Sequence, residues 1–202
     1  MWDHTKPRQG FDLDKEPVLQ DITLALGFIS SLGLVLRTQR KGLSWLAVPC
    51  QSFSFMSSSC HRRSWADPYG SLNRQFVQMG NCICARSCIL ILVSLARSVV
   101  FFVENPLQSS LQCWPFLNYL MHMPVLGSHR TSWLMGYYGG WSLKPQLGLS
   151  NAIWAGYLDQ AVSKENRKAL KDKAKLHGKE IVKLTVSKSS NKIHVTLCGN
   201  YI

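Results

Sequence analysis

Two short apolar runs, each halted by a proline, set the tightest limit on the fold: Leu43 to Val48 before Pro49, and Val99 to Val103 in SVVFFVENP before Pro106. Both have strand length, and the second is rich in the β-branched and aromatic residues that suit a pleated, buried surface. A proline cannot donate to a strand ladder, so each run should end there. Each run also follows a stretch of helical character. Asp21 is placed to cap a helix from about Ile22 to Arg37, since its carboxylate accepts from the first free amides and Arg37 suits the negative end of the helix dipole. Gly42 ends that stretch. Asn73 to about Ala96 has no Pro and a single Gly, and predicts a second helix. The order helix, strand, loop, helix, strand predicts an α/β fold with a Rossmann-like, largely parallel sheet. Ligands in such sheets bind at the carboxyl ends of the strands, where Cys50 and Glu104 fall.

Elsewhere the pattern is weaker. Residues 51–70 turn to Ser, Arg, His, Pro and Gly and read as a long loop. LQCWPFLNYLMHM predicts a short helix, HRTSWLMGYYGG a strand running into a Gly turn, and Lys164 to Lys175 a charged helix. EIVKLTVSKSSNKIHVTL reads as a β-hairpin around Ser-Ser-Asn. We expect an α/β domain over 1–158 and a basic helix-plus-hairpin appendage over 159–202. At 202 residues, two large domains do not fit.

Charge is uneven along the chain. Of 11 acids, only Asp67 and Glu104 lie between Ile22 and Leu158, against 23 Lys and Arg in all and a net charge of +12. Such a basic surface favours a polyanion, nucleic acid in the first instance, although a solvated Lys-rich tail would give the same count. Seven cysteines without framework spacing favour a reducing compartment. The polar, acidic start MWDHTKPRQGFDLDKEP is unlike a signal peptide. An intracellular protein, nuclear or cytoplasmic and not secreted, is expected. The runs Ile22 to Leu36 and Ile89 to Val103 are shorter than the roughly 18–20 residues of a spanning helix, so no membrane partner is expected.

Two residues carry the sharpest chemistry. Cys50 follows a strand in LAVPCQSFS. A free thiol has a pKa of roughly 8.5, so a nucleophilic Cys50 needs help from loop amides, from the Ser52 and Ser54 hydroxyls, or from cations such as Arg62 and Arg63. Glu104 ends the next strand in FFVENP, followed by Asn105, and burial there would raise its pKa and let it share a proton with a heterocyclic base. The competing readings are a small buried cysteine and a structural glutamate, capping a helix or paired with Arg130. Placement at the ends of neighbouring strands favours the pair as a site.

Pro49, Cys50, Gln51, Phe53 and Ser54, followed at a distance by Glu104 and Asn105, resemble the catalytic half of the cytosine carbon-5 DNA methyltransferases. The resemblance implies a Rossmann-like methyltransferase sheet, with Cys50 attacking carbon 6 of cytosine and Glu104 binding the ring nitrogen and amino edge. It further implies S-adenosylmethionine as methyl donor, with Asp12 or Asp14 at its ribose and Asp21 at its adenine. Gln51, Ser52, Ser54, Asn105, Arg62, Arg63, Arg130 and Lys144 would then face the nucleic acid. Pro106 stands where that family has Val, and no Phe-x-Gly-x-Gly loop precedes Asp12. An inactive or truncated member is therefore expected as readily as an active one, and a non-catalytic nucleic-acid-binding module is the alternative. From about Gly10 to Leu197 the succession of motifs also resembles a group of algal methyltransferase-like proteins.

Cys82, Cys84 and Cys88 share a predicted helix, where core packing is favoured over a metal site for want of four suitably spaced ligands. Trp133, Tyr137, Tyr138, Trp141 and Trp154 lie near Arg130 and Lys144 and offer either stacking faces for bases or ordinary core.

Overall fold

The computed structural model describes residues 9–11, 17–123, 127–138, 143–159, 163–176 and 194–198, with backbone alone at 9–11, 17 and 194–198. The two proline-stopped runs form neighbouring strands, β2 (Leu43–Ala47) and β3 (Val100–Pro106), paired in parallel with Leu43 opposite Val100 and Ala47 opposite Glu104. The helix α4 (Gln75–Ala96) joins them in a β-α-β unit. Two further strands extend the β3 side, β4 (His129–Leu134) and β5 (Pro145–Ser150). On the other side stand β1 (Gln9–Phe11) and β6 (His194–Cys198), and the order is β1-β6-β2-β3-β5-β4.

The chain is therefore α/β with an open, mixed sheet, and the expectation of a largely parallel sheet is corrected. Of the five described pairings only β2 with β3 is parallel. The connections explain this. A parallel return needs a crossover, usually through a helix, as between β2 and β3. The ten residues between β4 and β5 hold no described α-helix, and they return the chain antiparallel. β6, from the segment expected as an appendage, pairs antiparallel with β2 and covers its free edge. The residues of the expected hairpin before His194 lie outside the described ones.

Alternation along the strands separates two faces. Leu46, Val48, Phe101, Val103, Leu147 and Leu149 are buried on one face against a helical layer. That layer comprises α2 (Ala25–Arg37), α4 and α5 (Pro115–Met121), which contribute Leu34, Val35, Leu90, Ile91 and Leu117. α2 starts at Ala25, three residues later than Asp21 predicts. Thr23 donates from its backbone N (2.8 Å) and Oγ1 (2.7 Å) to Asp21 Oδ1, and Leu24 N donates to Asp21 O. Asp21 thus closes a turn ahead of the helix. Gly27 lies against that turn, where a Cβ would collide with Asp21 O. α4 is the one described helix long and apolar enough to cross a membrane, but its Val77, Ile83, Leu90 and Ile91 belong to the buried core.

The opposite face is aromatic. Phe102, fully buried, stacks on Trp45 (centroids 4.4 Å, 22°) and on Trp154 (5.9 Å, 5°) and leans on Trp133 (5.9 Å, 53°). Gly148 makes room for this cluster: a Cβ there would meet Trp133 at 2.9 Å and Thr131 at 2.8 Å. Two short helices complete the described chain, α1 (Pro17–Gln20) before α2 and α3 (Ser58–His61) after β2. The charged helix α6 (Lys164–Leu176) buries Leu170 and Ala174.

Candidate functional site at the ends of the parallel strands

β2 ends at Ala47, and a tight 3-10 turn, Cys50–Ser52, begins after Pro49. Phe53 N and Ser54 N both donate to Cys50 O, at 2.9 and 2.7 Å. Cys50 is a half-buried free thiol on that turn. Glu104 lies opposite Ala47 in the register, so its Cα is about 11 Å from that of Cys50 if the chain stays extended to that point. Asn105 Nδ2 donates to Val48 O at 2.7 Å and ties the end of β3 to the residue before Pro49. Asn105 Oδ1 is buried without a hydrogen-bond partner.

The Glu104 carboxyl lies on the aromatic face. Trp45 Nε1 donates to Glu104 Oε2 at 3.1 Å. Burial pushes the Glu104 pKa up, against the Trp45 hydrogen bond and the charge of Lys144, which both pull it down. Burial is the largest effect, so the neutral carboxyl is favoured over a wider pH range than for an exposed glutamate. Trp45 is a further candidate site residue, one that the sequence does not single out. Its signal was two-residue alternation along LSWLA, which sets Trp45 and Ala47 on the face shared by Phe102 and Glu104 once the strands pair.

The segment 51–70 is a built structure and not the open loop expected. Its centre is Arg63, 7% exposed. Arg63 Nε donates to Ser52 O (2.8 Å), and its terminal nitrogens donate to Ser52 Oγ (2.7 Å), Asn81 Oδ1 (2.7 Å), Pro68 O (2.7 Å), Tyr69 O and Val77 O. The guanidinium also lies 4.2 Å over the Phe53 ring. Burial lowers the Arg63 pKa to about 10, which leaves it cationic at neutral pH. Buried His61 completes the knot: its Nδ1 accepts from Arg63 N (2.9 Å), which fixes the tautomer so that Nε2 donates to Ser54 O (3.0 Å). Gly80 of α4 lets the helix approach the turn, since a Cβ there would meet Ser52 Cβ at 2.6 Å.

The loops that follow the two strands are pinned to each other. Ser110 N and Oγ both donate to Phe53 O, at 2.8 and 3.1 Å, and Ser54 bridges Ser109. The structure therefore brings Cys50, Gln51, Ser52, Ser54, Glu104 and Asn105 to one end of the sheet. Gln51 is exposed there and its carbonyl accepts from Ser57 Oγ. Lys144, half-buried before β5, is close enough to act on Glu104. Arg62 is exposed beside the knot. Arg130 is exposed but lies opposite Leu149, on the sheet face away from Glu104. Trp133 and Trp154 pack on Phe102, while Tyr137 and Tyr138 are exposed at 37% and 50%. Trp141, Asp12 and Asp14 lie outside the described residues.

Asp21 has its Oδ1 engaged by Thr23, and β6 occupies the edge of β2 where the first strand of a doubly wound sheet would pair. Among the described residues, one Asp21 oxygen and the edge of β2 are thus already engaged by the chain itself. Cys84 and Cys88 are buried in α4, and among the described residues no three His, Cys, Asp or Glu side chains group as metal ligands. No protein-family model, curated protein or solved structure matches the chain.

Proposed function

We propose that the chain is a methyltransferase-like protein, built around part of a Rossmann-like sheet, that recognises a cytosine-type base in nucleic acid without itself transferring a methyl group. The observation that carries this reading is the parallel β2–β3 pair with Asn105 bonded to Val48 O, which holds Cys50 and Glu104 at the same end of adjacent strands. A cytosine ring presents an acceptor nitrogen beside an amino donor. Neutral Glu104 is complementary to that edge: Oε1–H donates to the ring nitrogen while Oε2 accepts from the amino group and from Trp45. Uracil presents N–H and carbonyl in the same places, and a neutral carboxyl pairs with it only by carrying its proton on Oε2, the oxygen that already accepts from Trp45. Burial of Glu104 therefore supports the neutral carboxyl that this pairing needs, and the Trp45 hydrogen bond supports cytosine over uracil. In this reading Cys50 is the residue across the ring from Glu104, assigned by its place at the end of the neighbouring strand, and Asn105 is a positioning residue. Arg62 and the basic chain beyond Leu158 supply contacts to phosphate. Methyl transfer is left out because Asp21 and the edge of β2 are already engaged.

Fluorescence anisotropy with matched single-stranded oligonucleotides, one carrying cytosine and one uracil at a single position, tests this. Preferential binding of the cytosine strand, with the preference lost in Glu104→Ala and overall affinity still falling steeply with salt, is expected. Equal affinity of the wild type for both strands would remove Glu104 from base recognition. Heat on titration with S-adenosylmethionine, together with methyl transfer abolished by Cys50→Ser, would restore the enzyme.

A further inference from the structure

The outer faces of α2 and α4 run against the usual logic of a surface helix. On α2 the residues pointing away from the sheet include Leu26, Ile29, Gly33 and Leu36, spaced three, four and three apart. On α4 they include Gln78, Cys82, Ala85, Ile89, Leu92 and Ala96, spaced four, three, four, three and four. This is the alternation that keeps one seam of a helix facing a partner helix. Both helices lead into parallel strands and cover the same sheet face, so the two seams run side by side. The five large side chains are 42–63% exposed. A solvated helix normally turns charge outward, yet from Ile22 to Leu36 there is none, and α4 carries only Arg86. Arg86 is turned inward, donating to Ile22 O and Leu24 O and lying 5.1 Å from the Phe28 ring.

We infer that this two-helix face is the contact with a second copy of the chain, the four helices packing as a bundle across a two-fold axis. Area and charge favour a second copy. Leu26, Ile29, Leu36, Ile89 and Leu92 together expose about 450 Å² of apolar surface, a little over half of the about 800 Å² that each partner gives to a standard interface. That is close to the apolar share of ordinary protein interfaces. Each copy carries +12, and of the two charges on α2 and α4, Arg86 is bonded to the start of α2 and Arg37 lies over Gly33 with its Nε donating to Gly33 O, so two such molecules meet here with little like charge at the contact. A two-fold axis matches each seam with its own kind, so a single patch is enough.

Sedimentation velocity on the full chain from micromolar to hundred-micromolar concentration tests this, with Ile29→Glu/Leu92→Glu as the seam variant and Ile153→Glu as a control on the opposite sheet face. Ile153 is 79% exposed. Because the seam substitutions fall on exposed positions, far-ultraviolet circular dichroism should show them folded. A wild-type dimer, retained in Ile153→Glu and weakened at least about a hundredfold in the seam variant, is expected. A wild type that stays monomeric throughout, or a dimer indifferent to the seam variant, overturns the inference. So does a monomer that cosediments with phosphatidylserine vesicles through the seam residues, which would assign the face to a lipid surface.

Discussion

Replacing Arg63 should unfasten the segment that carries Cys50. The guanidinium donates to both oxygens of Ser52 and to Val77 O within the buried interior, and to Asn81 Oδ1 nearer the surface. Hydrogen bonds to a charged donor contribute about 1.5–3 kcal/mol each, and buried acceptors left unpaired carry their own penalty. Removal of the buried cation offsets part of this, because its desolvation no longer has to be met. We expect Arg63→Ala to cost about 4 kcal/mol and Arg63→Lys about 2 kcal/mol, since lysine keeps the charge but not the planar fork. With a urea m-value of about 2.5 kcal/mol/M, the alanine variant should lower the midpoint by about 1.5 M, read by tryptophan fluorescence. A double-mutant cycle with Ser52→Ala should give a coupling of about 1 kcal/mol, because alanine removes the Oγ that accepts from Arg63 and keeps the backbone carbonyl that accepts from its Nε. If the segment opens locally instead, hydrogen exchange will show the Phe53, Ser54 and Ser71 amides losing protection while the midpoint holds. An Arg63→Ala protein with an unshifted midpoint and unchanged protection of those amides would refute the reasoning.

Gly80→Ala should destabilise by about 1–3 kcal/mol in the same urea titration, because the new methyl meets Ser52 Cβ at 2.6 Å, and the same substitution should cost markedly less when made in a Ser52→Gly background. Glu104 has its pKa raised above the ordinary 4.5, so its contribution to stability is present below about that pH and is lost as pH rises through the folded-state value. Glu104→Gln should remove that downward limb from a plot of melting temperature against pH. His61 has its pKa lowered, chiefly by burial, so its contribution is present above the ordinary 6.5 and is lost as pH falls through the folded-state value; His61→Gln should flatten that acid limb. Arg62 sits at φ 54°, in the left-handed region. Arg62→Gly should therefore stabilise by about 0.5–1 kcal/mol while reducing the salt slope of oligonucleotide binding by about 1.

The parallel pair was legible because proline marks strand ends and apolar composition marks burial, and both survive any environment. The ranges of β2, α4, α5 and α6 follow their sequence signals closely. β5 was not legible, since PQLGLS opens with Pro and carries Gly148, both depleted in strands. Its Gly is there to admit Phe102, Thr131 and Trp133, three residues from two other strands, and nothing local announces such a crossing. The antiparallel majority was hidden for a related reason: direction depends on what joins the strands, and the sequence beyond Pro106 offered no period strong enough to assign the connections.

Arg62 and Arg63 mark the same limit at the site. They are adjacent, chemically identical and equally plausible as phosphate contacts, yet one is exposed and the other is among the most fully bonded side chains described. Backbone conformation separates them. α3 ends at His61, and the left-handed turn at Arg62 reverses the chain so that its side chain leaves the protein while the next one enters it. Gly70 fixes the far end of the reversal, with φ 68° and no room for a Cβ against His61 O. A run of two arginines in a polar loop therefore divides into one cation that shapes the site and one that is free to meet a polyanion. The division is set by a single residue's φ, which no composition or charge count reports. The same turn explains why losing Arg63 should damage the fold while losing Arg62 should improve it.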